Sequence, residues 1–239
     1  MNRRDFLQRS TILGVGGIVG VSALASACKG PKYVPLRKPE EYYIPELPDK
    51  AAPGREIKVG VIGCGGRGSG AIQNLFDAAD GIRLTALGDV FPDRLEGLRK
   101  MAAEKLGQEV PDENCFIGFD AYQKVIDSGV DMIIDTTPPV FRPDHFKYAV
   151  QKGVHSFLEK PVAVDAKGYR TMMAAAKQAQ AKGLCVVCGT QRHHQRPYVE
   201  AFRKIQEGYI GEITGGNVYW NQGMLWYRNR EKGWSDMEW

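Results

Sequence analysis

The stretch Lys58-Val59-Gly60-Val61-Ile62-Gly63-Cys64-Gly65-Gly66-Arg67-Gly68 decides the fold. A short apolar run breaks into glycines at the spacing Gly63-x-Gly65-x-x-Gly68. In a dinucleotide-binding βαβ unit the first glycine makes a tight turn, the second lets the backbone approach a pyrophosphate, and the third lets the next helix pack against the strand. The phosphates then sit on free N–H groups at the helix N-terminus. Glycine spacing alone is a weak signal, so its surroundings matter.

Those surroundings agree. Ile57 to Ile62 is β-branched and apolar enough for a buried parallel strand, and Ala71, Ile72, Leu75 and Phe76 give the next segment a helical apolar stripe. A second strand, Ile82 to Leu87, runs into Gly88-Asp89, about 20 residues past the last glycine. An Asp there accepts hydrogen bonds from the adenosine ribose and repels the extra phosphate of NADP, so NAD is the expected cofactor. Arg94, one helical turn on, keeps NADP open.

Further along, strand and helix alternate with short connections. Arg94 to Leu106 reads as a helix, Cys115 to Ile117 as an edge strand, and Tyr122 to Ile126 as a short helix. Asp131 to Asp135 reads as a strand that stops at Thr136-Thr137-Pro138-Pro139, and Pro143 to Lys152 as a helix. His155 to Leu158 then forms a strand ending at Glu159-Lys160-Pro161. This is the pattern of a Rossmann-type α/β fold, a doubly wound parallel sheet, whose ligands bind at the carboxyl ends of the strands. The Thr137-Pro138 turn and Lys160 therefore belong to one crevice.

Leu184 to Cys188 reads as a sixth strand, in which Cys185 and Cys188 are expected as core thiols, not a redox pair. Cys64 and Cys115 are expected to be small buried residues, and no Cys/His spacing suggests a metal site. Tyr198 to Glu207 is an amphipathic helix, and Ile213 to Trp220 reads as the first strand of a second, α+β domain. The aromatic cluster Trp220, Trp226 and Tyr227 with Asn221 suits either a core or a sugar platform.

Together these residues resemble the Gfo/Idh/MocA oxidoreductases, named for glucose-fructose oxidoreductase and inositol dehydrogenase. The resemblance rests on Gly63 to Gly68, Asp89, Thr137-Pro138, Glu159-Lys160-Pro161 and Gly189-Thr190-Gln191-Arg192. It implies cofactor contacts by Gly63, Gly65, Arg67, Gly68, Asp89, Thr137, Pro138, Glu159, Lys160 and Gln191. Lys160 would be catalytic, taking the hydroxyl proton of a sugar or polyol while hydride moves to nicotinamide. Arg192, His193 and Trp220 would touch substrate, and Glu159 would orient Lys160 or reach the cofactor ribose. His145 is expected to be structural. Two other readings stay open: a glycosidase that oxidises and re-reduces the sugar around bond cleavage, and a cofactor-binding subunit without catalysis.

The ends of the chain carry a different message. Asn2-Arg3-Arg4-Asp5-Phe6-Leu7 resembles a twin-arginine export signal, followed by the apolar run Thr11 to Ala27. These first 27 residues imply export to the periplasm or cell envelope with the twin-arginine machinery as partner, and they hold half of the formal charge of +4. What remains shows no basic patch for nucleic acid. Leu24 to Cys28 also resembles a lipoprotein box, so a lipid anchor at Cys28 and simple cleavage are alternatives; the signal or that anchor would be the chain's contact with membrane. Residues 28–55 hold six of the 13 prolines and read as an extended arm or as a disordered linker. Tyr33, Tyr42 and Tyr43 would dock it on this chain or on a second subunit of a homo-oligomer. The expected organisation is signal 1–27, arm 28–55, NAD-binding domain 56–189 and an incomplete substrate domain 190–239.

Overall fold

The computed structural model describes residues 33–44, 54–225, 227, 229–236 and 239. The twin-arginine stretch, Cys28 and Trp226 lie outside the described residues. The described residues fall into two compact units, one within residues 44–200 and one of residues 33–43 with those after 200.

The larger unit starts with β1 (Ile57–Ile62), α1 (Gly66–Ala78), β2 (Ile82–Asp89) and α2 (Pro92–Met101). It continues with β3 (Cys115–Ile117), α3 (Ala121–Asp127), β4 (Met132–Asp135) and α4 (Arg142–Lys152), then β5 (His155–Leu158), α5 (Ala166–Ala181) and β6 (Val186–Cys188). The strands form one sheet in the order β3-β2-β1-β4-β5-β6, and every neighbouring pair is parallel. Strand order reverses between β1 and β4, the topological switch point at which such sheets bind ligands.

The sheet is covered on both faces, which is why the central strands β1 and β4 bury consecutive residues. Neighbouring residues along a strand point to opposite faces. Thus Val61, Leu87 and Ile134 join Ile72 and Leu98 of the first two helices, whereas Ile62, Ala86 and Ile133 join Val125 and Ala149 of α3 and α4. A third cluster packs Phe146 and Val150 of α4 on Met172 and Ala175 of α5. Ile133 is fully buried, and burial of such a side chain stabilises by about 1.5–3 kcal/mol. Gly60 and Gly88 bring α3 onto the sheet, because a Cβ at either would press into the Val125 side chain.

Boundaries shift slightly from the sequence reading. The helix after β2 begins at Pro92 and passes into a π turn, Ala102–Leu106, which ends at Gly107 with φ of +63°. β2 runs on to Asp89 itself. The sixth strand is shorter than expected and lies at the sheet edge, so Cys185 is exposed and Cys188 half-buried instead of both being core thiols. Cys115 is also only half-buried, whereas Cys64 is buried.

In the smaller unit the arm lies on the end of α6 (Arg196–Gln206). Tyr33 stacks on Tyr209 with ring centroids 4.1 Å apart, and Tyr42 meets Phe202 edge-on at 5.9 Å. The Leu36 N–H donates to the Gln206 carbonyl at 2.8 Å, supplying one of the partners a helix C-terminus needs. Gly208, at φ of +84°, lies so close to the arm that a Cβ would strike the Val34 carbonyl. Tyr33 and Tyr42 therefore dock within the chain, while Tyr43 is exposed. The expected strand Ile213 to Trp220 does not form. Among the described residues no ladder partner pairs with it, and an extended segment without one gains nothing over hydration.

Candidate functional site

The site lies at the carboxyl ends of β1, β2, β4 and β5, where four turns meet. After β1 the chain turns at Gly63, whose φ of +89° suits glycine, and a Cβ there would sit 2.9 Å from the Thr137 nitrogen. The Gly63 N–H donates to the Gly88 carbonyl at 2.8 Å, and Thr136 Oγ1 donates to the Gly63 carbonyl at 2.6 Å. At Gly68 a Cβ would collide with that same carbonyl, so the third glycine is what lets α1 start against the turn. Gly65 is the N-cap of α1 and has no side chain to satisfy the first N–H groups. A Cβ at Gly66 would meet nothing within 4 Å, which leaves the helix N-terminus open to a phosphate. The glycine turn thus fits a dinucleotide pyrophosphate.

Asp89 ends β2. Its Oδ2 accepts from the Cys64 N–H at 2.6 Å and its Oδ1 from the Phe91 N–H at 2.9 Å. One carboxylate therefore holds the glycine turn while keeping further lone pairs for ribose hydroxyls. Arg94 lies with its guanidinium 4.8 Å from the centre of the Phe91 ring, on the same side as Gly65.

Across the switch point, Asp135 ends β4 fully buried. Its Oδ1 accepts from the Thr137 N–H at 3.0 Å and from Thr137 Oγ1 at 2.6 Å, and its Oδ2 lies 3.1 Å from His145 Nδ1. His145 is itself buried and stacked on Tyr122. Pro138, next along, is exposed. Arg142, in the first turn of α4, donates to the Thr137 carbonyl and to the Pro161 carbonyl. Burial holds its basicity below the usual arginine range, partly offset by the charges of Asp135 and Glu159.

Glu159, Lys160 and Pro161 follow β5, with a cis bond between the last two. Glu159 is buried, and its Oε1 takes both Arg67 Nε at 2.7 Å and Arg67 Nη2 at 2.6 Å. Its Oε2 accepts the Lys160 N–H at 3.2 Å. Glu159 thus joins the glycine-turn helix to the backbone of Lys160, whose own side chain is exposed. Gly189 gives it room, since a Cβ there would lie 2.7 Å from Oε1.

Gln191, Arg192 and His193 form an exposed helical turn beyond β6, with Arg192 Nε donating to the Tyr198 hydroxyl at 3.1 Å. Asp89 and Gly63 are thus bonded into the glycine turn against which Gly68 packs, Arg67 is paired with Glu159, and Thr137 is bonded to Asp135. Trp220 belongs to the smaller unit, where its indole N–H donates to Gln222 Oε1. Arg142 and Asp135 were not singled out from the sequence, although one signal was available. A cation in the first turn of a helix opposes the macrodipole, and such a local violation marks a residue held for another reason.

Residues 57–190 match the family profile whose description is an oxidoreductase family with an NAD-binding Rossmann fold. The chain belongs to the Gfo/Idh/MocA family. NAD is accordingly the cofactor of its Rossmann fold. The scyllo-inositol 2-dehydrogenase (NAD(+)) of Bacillus subtilis is 28% identical over 157 residues, 66% of this chain and 42% of that protein. A glycosyl hydrolase family 109 protein of Streptomyces coelicolor is 24% identical over 224 residues, 91% of this chain and 45% of that one. The crystal structure of Lactobacillus casei scyllo-inositol dehydrogenase with bound NAD(H) and scyllo-inositol superposes with a TM-score of 0.55 at 27% identity, covering 67% of this chain and 44% of that chain. This chain spans less than half the length of these relatives.

Proposed function

We propose that the whole protein is an exported oxidoreductase that moves hydride between a sugar or polyol and NAD, with Lys160 as the proton-transferring residue. The observation that carries this reading is the turn after β5, where Glu159 holds the Lys160 backbone beside the glycine turn and leaves the Lys160 side chain exposed. The inositol substrate of the Bacillus and Lactobacillus relatives supports a cyclic polyol.

In this reading Gly63, Gly65 and Gly68 hold the pyrophosphate at the start of α1, and Asp89 accepts from the adenosine ribose. Thr137, Pro138 and Gln191 line the nicotinamide end, while Arg67 steadies Glu159 and reaches the phosphates. Arg192 and His193 belong to the substrate side. Bound NAD supplies the hydride acceptor. Lys160 Nζ, as the amine, takes the hydroxyl proton, so a carbinol becomes a carbonyl and the proton stays on the lysine. Twin-arginine export carries folded proteins, so NAD would leave the cytosol already bound and be recycled within each turnover.

Incubating the full-length protein, loaded with NAD, with one inositol or hexose at a time and no second sugar to be reduced should turn the bound NAD into NADH, and Lys160→Ala should lower that rate at least about a hundredfold. Equal rates for the two proteins would overturn the assignment. A second reading, an NAD-using glycosidase, is favoured by the family 109 match, which covers more of this chain than the dehydrogenase match. Release of nitrophenol from a nitrophenyl glycoside without net NADH would select it.

A further inference from the structure

Arg142 stands out among the buried polar residues. It is 3% exposed, its two terminal nitrogens bond only to carbonyl oxygens, and Nε has no hydrogen-bond partner among the described residues. Its charge lies at the wrong end of α4 for the helix dipole. A buried cation without a bonded carboxylate is an expensive way to hold a fold together, because desolvation is only partly offset by neutral acceptors. The two carbonyls it joins are those of Thr137 and Pro161, in the turns that follow the adjacent strands β4 and β5. Lys160 immediately precedes one of them. Asp135 fixes Thr137 from behind, and Glu159 fixes the Lys160 N–H.

We propose that Arg142 is a positioning residue, whose planar fork sets the spacing between the Thr137 and Lys160-Pro161 turns and thereby holds Lys160 over the nicotinamide end of bound NAD. The proposal rests on the reading of Lys160 given above. A guanidinium suits this task better than an ammonium, since its donors diverge in one plane and reach two acceptors at a fixed separation. The pyrophosphate turn and Asp89 are built from other residues, so cofactor affinity and lysine placement are separable.

The test is acetylation of Lys160 by acetic anhydride in the full-length protein, followed by peptide mass spectrometry with and without NAD. With NAD at about ten times its Kd, occlusion slows modification of Lys160 about tenfold in the native protein. Absence of that protection would remove Lys160 from the nicotinamide end and overturn the underlying reading of the site along with the proposal. Given native protection, Arg142→Lys and Arg142→Met are expected to bind NAD within about threefold of the native Kd. At an NAD concentration set to the same saturation, protection of Lys160 falls to about twofold or less. Full protection in either folded variant overturns the proposal while leaving Lys160 where it was assigned. So does a loss of protection that simply follows weakened binding and returns at higher NAD. Failure of both variants to fold, read by circular dichroism, would make Arg142 a structural cation and likewise overturn it.

Discussion

At the scale of single residues, Asp89 carries two tasks that the sequence shows as one. Its position after the second strand is legible from the glycine fingerprint, since the spacing is fixed by one βα turn and one strand. That the same carboxylate also accepts the Cys64 and Phe91 N–H groups is not legible, because those bonds depend on how the glycine turn folds back. Asp89→Ala should therefore weaken NAD by on the order of 1–3 kcal/mol, through a lost ribose acceptor and a loosened turn. NADP should lose less, since the charge that repels its phosphate disappears together with the acceptor. Fluorescence titration of both cofactors checks this, and equal losses would sink the role given to Asp89. Arg142 lies at the opposite extreme of legibility. Its partners are backbone carbonyls five and 19 residues away, and no spacing rule links a side chain to a carbonyl in another turn. The cysteines divide by the same logic: burial and the charge of Asp89 push the Cys64 thiol well above its usual range, whereas strand register alone did not reveal that Cys185 is exposed.

At the scale of elements, the central strands β1 and β4 were readable because a sheet covered on both faces favours strands that are apolar on both sides. Helix α5 drew no such signal. Its buried face is Met172, Ala175 and Ala179, a stripe at helical spacing made mostly of alanines, which composition does not distinguish from a solvated helix. Ile213 to Trp220 shows the converse, for Val218, Tyr219 and Trp220 suit a strand while strand formation is decided by a partner. The join between β1 and α1 depends least on distant context. A methyl group at Gly68 would strike the Gly63 carbonyl and lie 3.1 Å from Thr136 Oγ1, and a peptide oxygen cannot rotate away as a side chain can. Gly68→Ala should force α1 off the turn, lowering stability by about 1–3 kcal/mol. It should also abolish measurable NAD binding, because the phosphate-facing N–H groups move with the helix. Urea unfolding and an NAD titration read the two effects separately. Unchanged binding with unchanged stability would mean that α1 is less tightly seated than the glycine contacts imply.

At the scale of the whole molecule, the Rossmann unit is tied across its elements by carboxylates near its surface whose protonation should set its acid limit. Asp131 accepts from Arg55 Nη2 at 3.0 Å and from the Lys58 N–H at 2.8 Å, joining the segment before β4 to the entry of β1. Asp127 takes Lys152 Nζ at 2.6 Å and the Tyr148 hydroxyl at 2.7 Å, joining α3 to α4. The hydrogen bond from Arg55 holds the Asp131 carboxyl below the usual range, and that from Lys152, helped by Tyr148, does the same for Asp127. A carboxylate depressed in the folded state binds its proton more readily when unfolded. Its contribution is therefore complete above the unfolded value, about 3.9, and is lost as pH falls through the lower folded value. Solvent screens both pairs, so each effect is small singly and visible as a slope. The thermal midpoint should hold between about pH 7 and 5 and fall below about pH 4. Asp127→Asn and Asp131→Asn together should lower the neutral plateau slightly and flatten the acid slope, since the protonation step that drives it has been removed at both sites. A double variant whose midpoint falls with pH as steeply as the native protein would assign the acid limit to other groups.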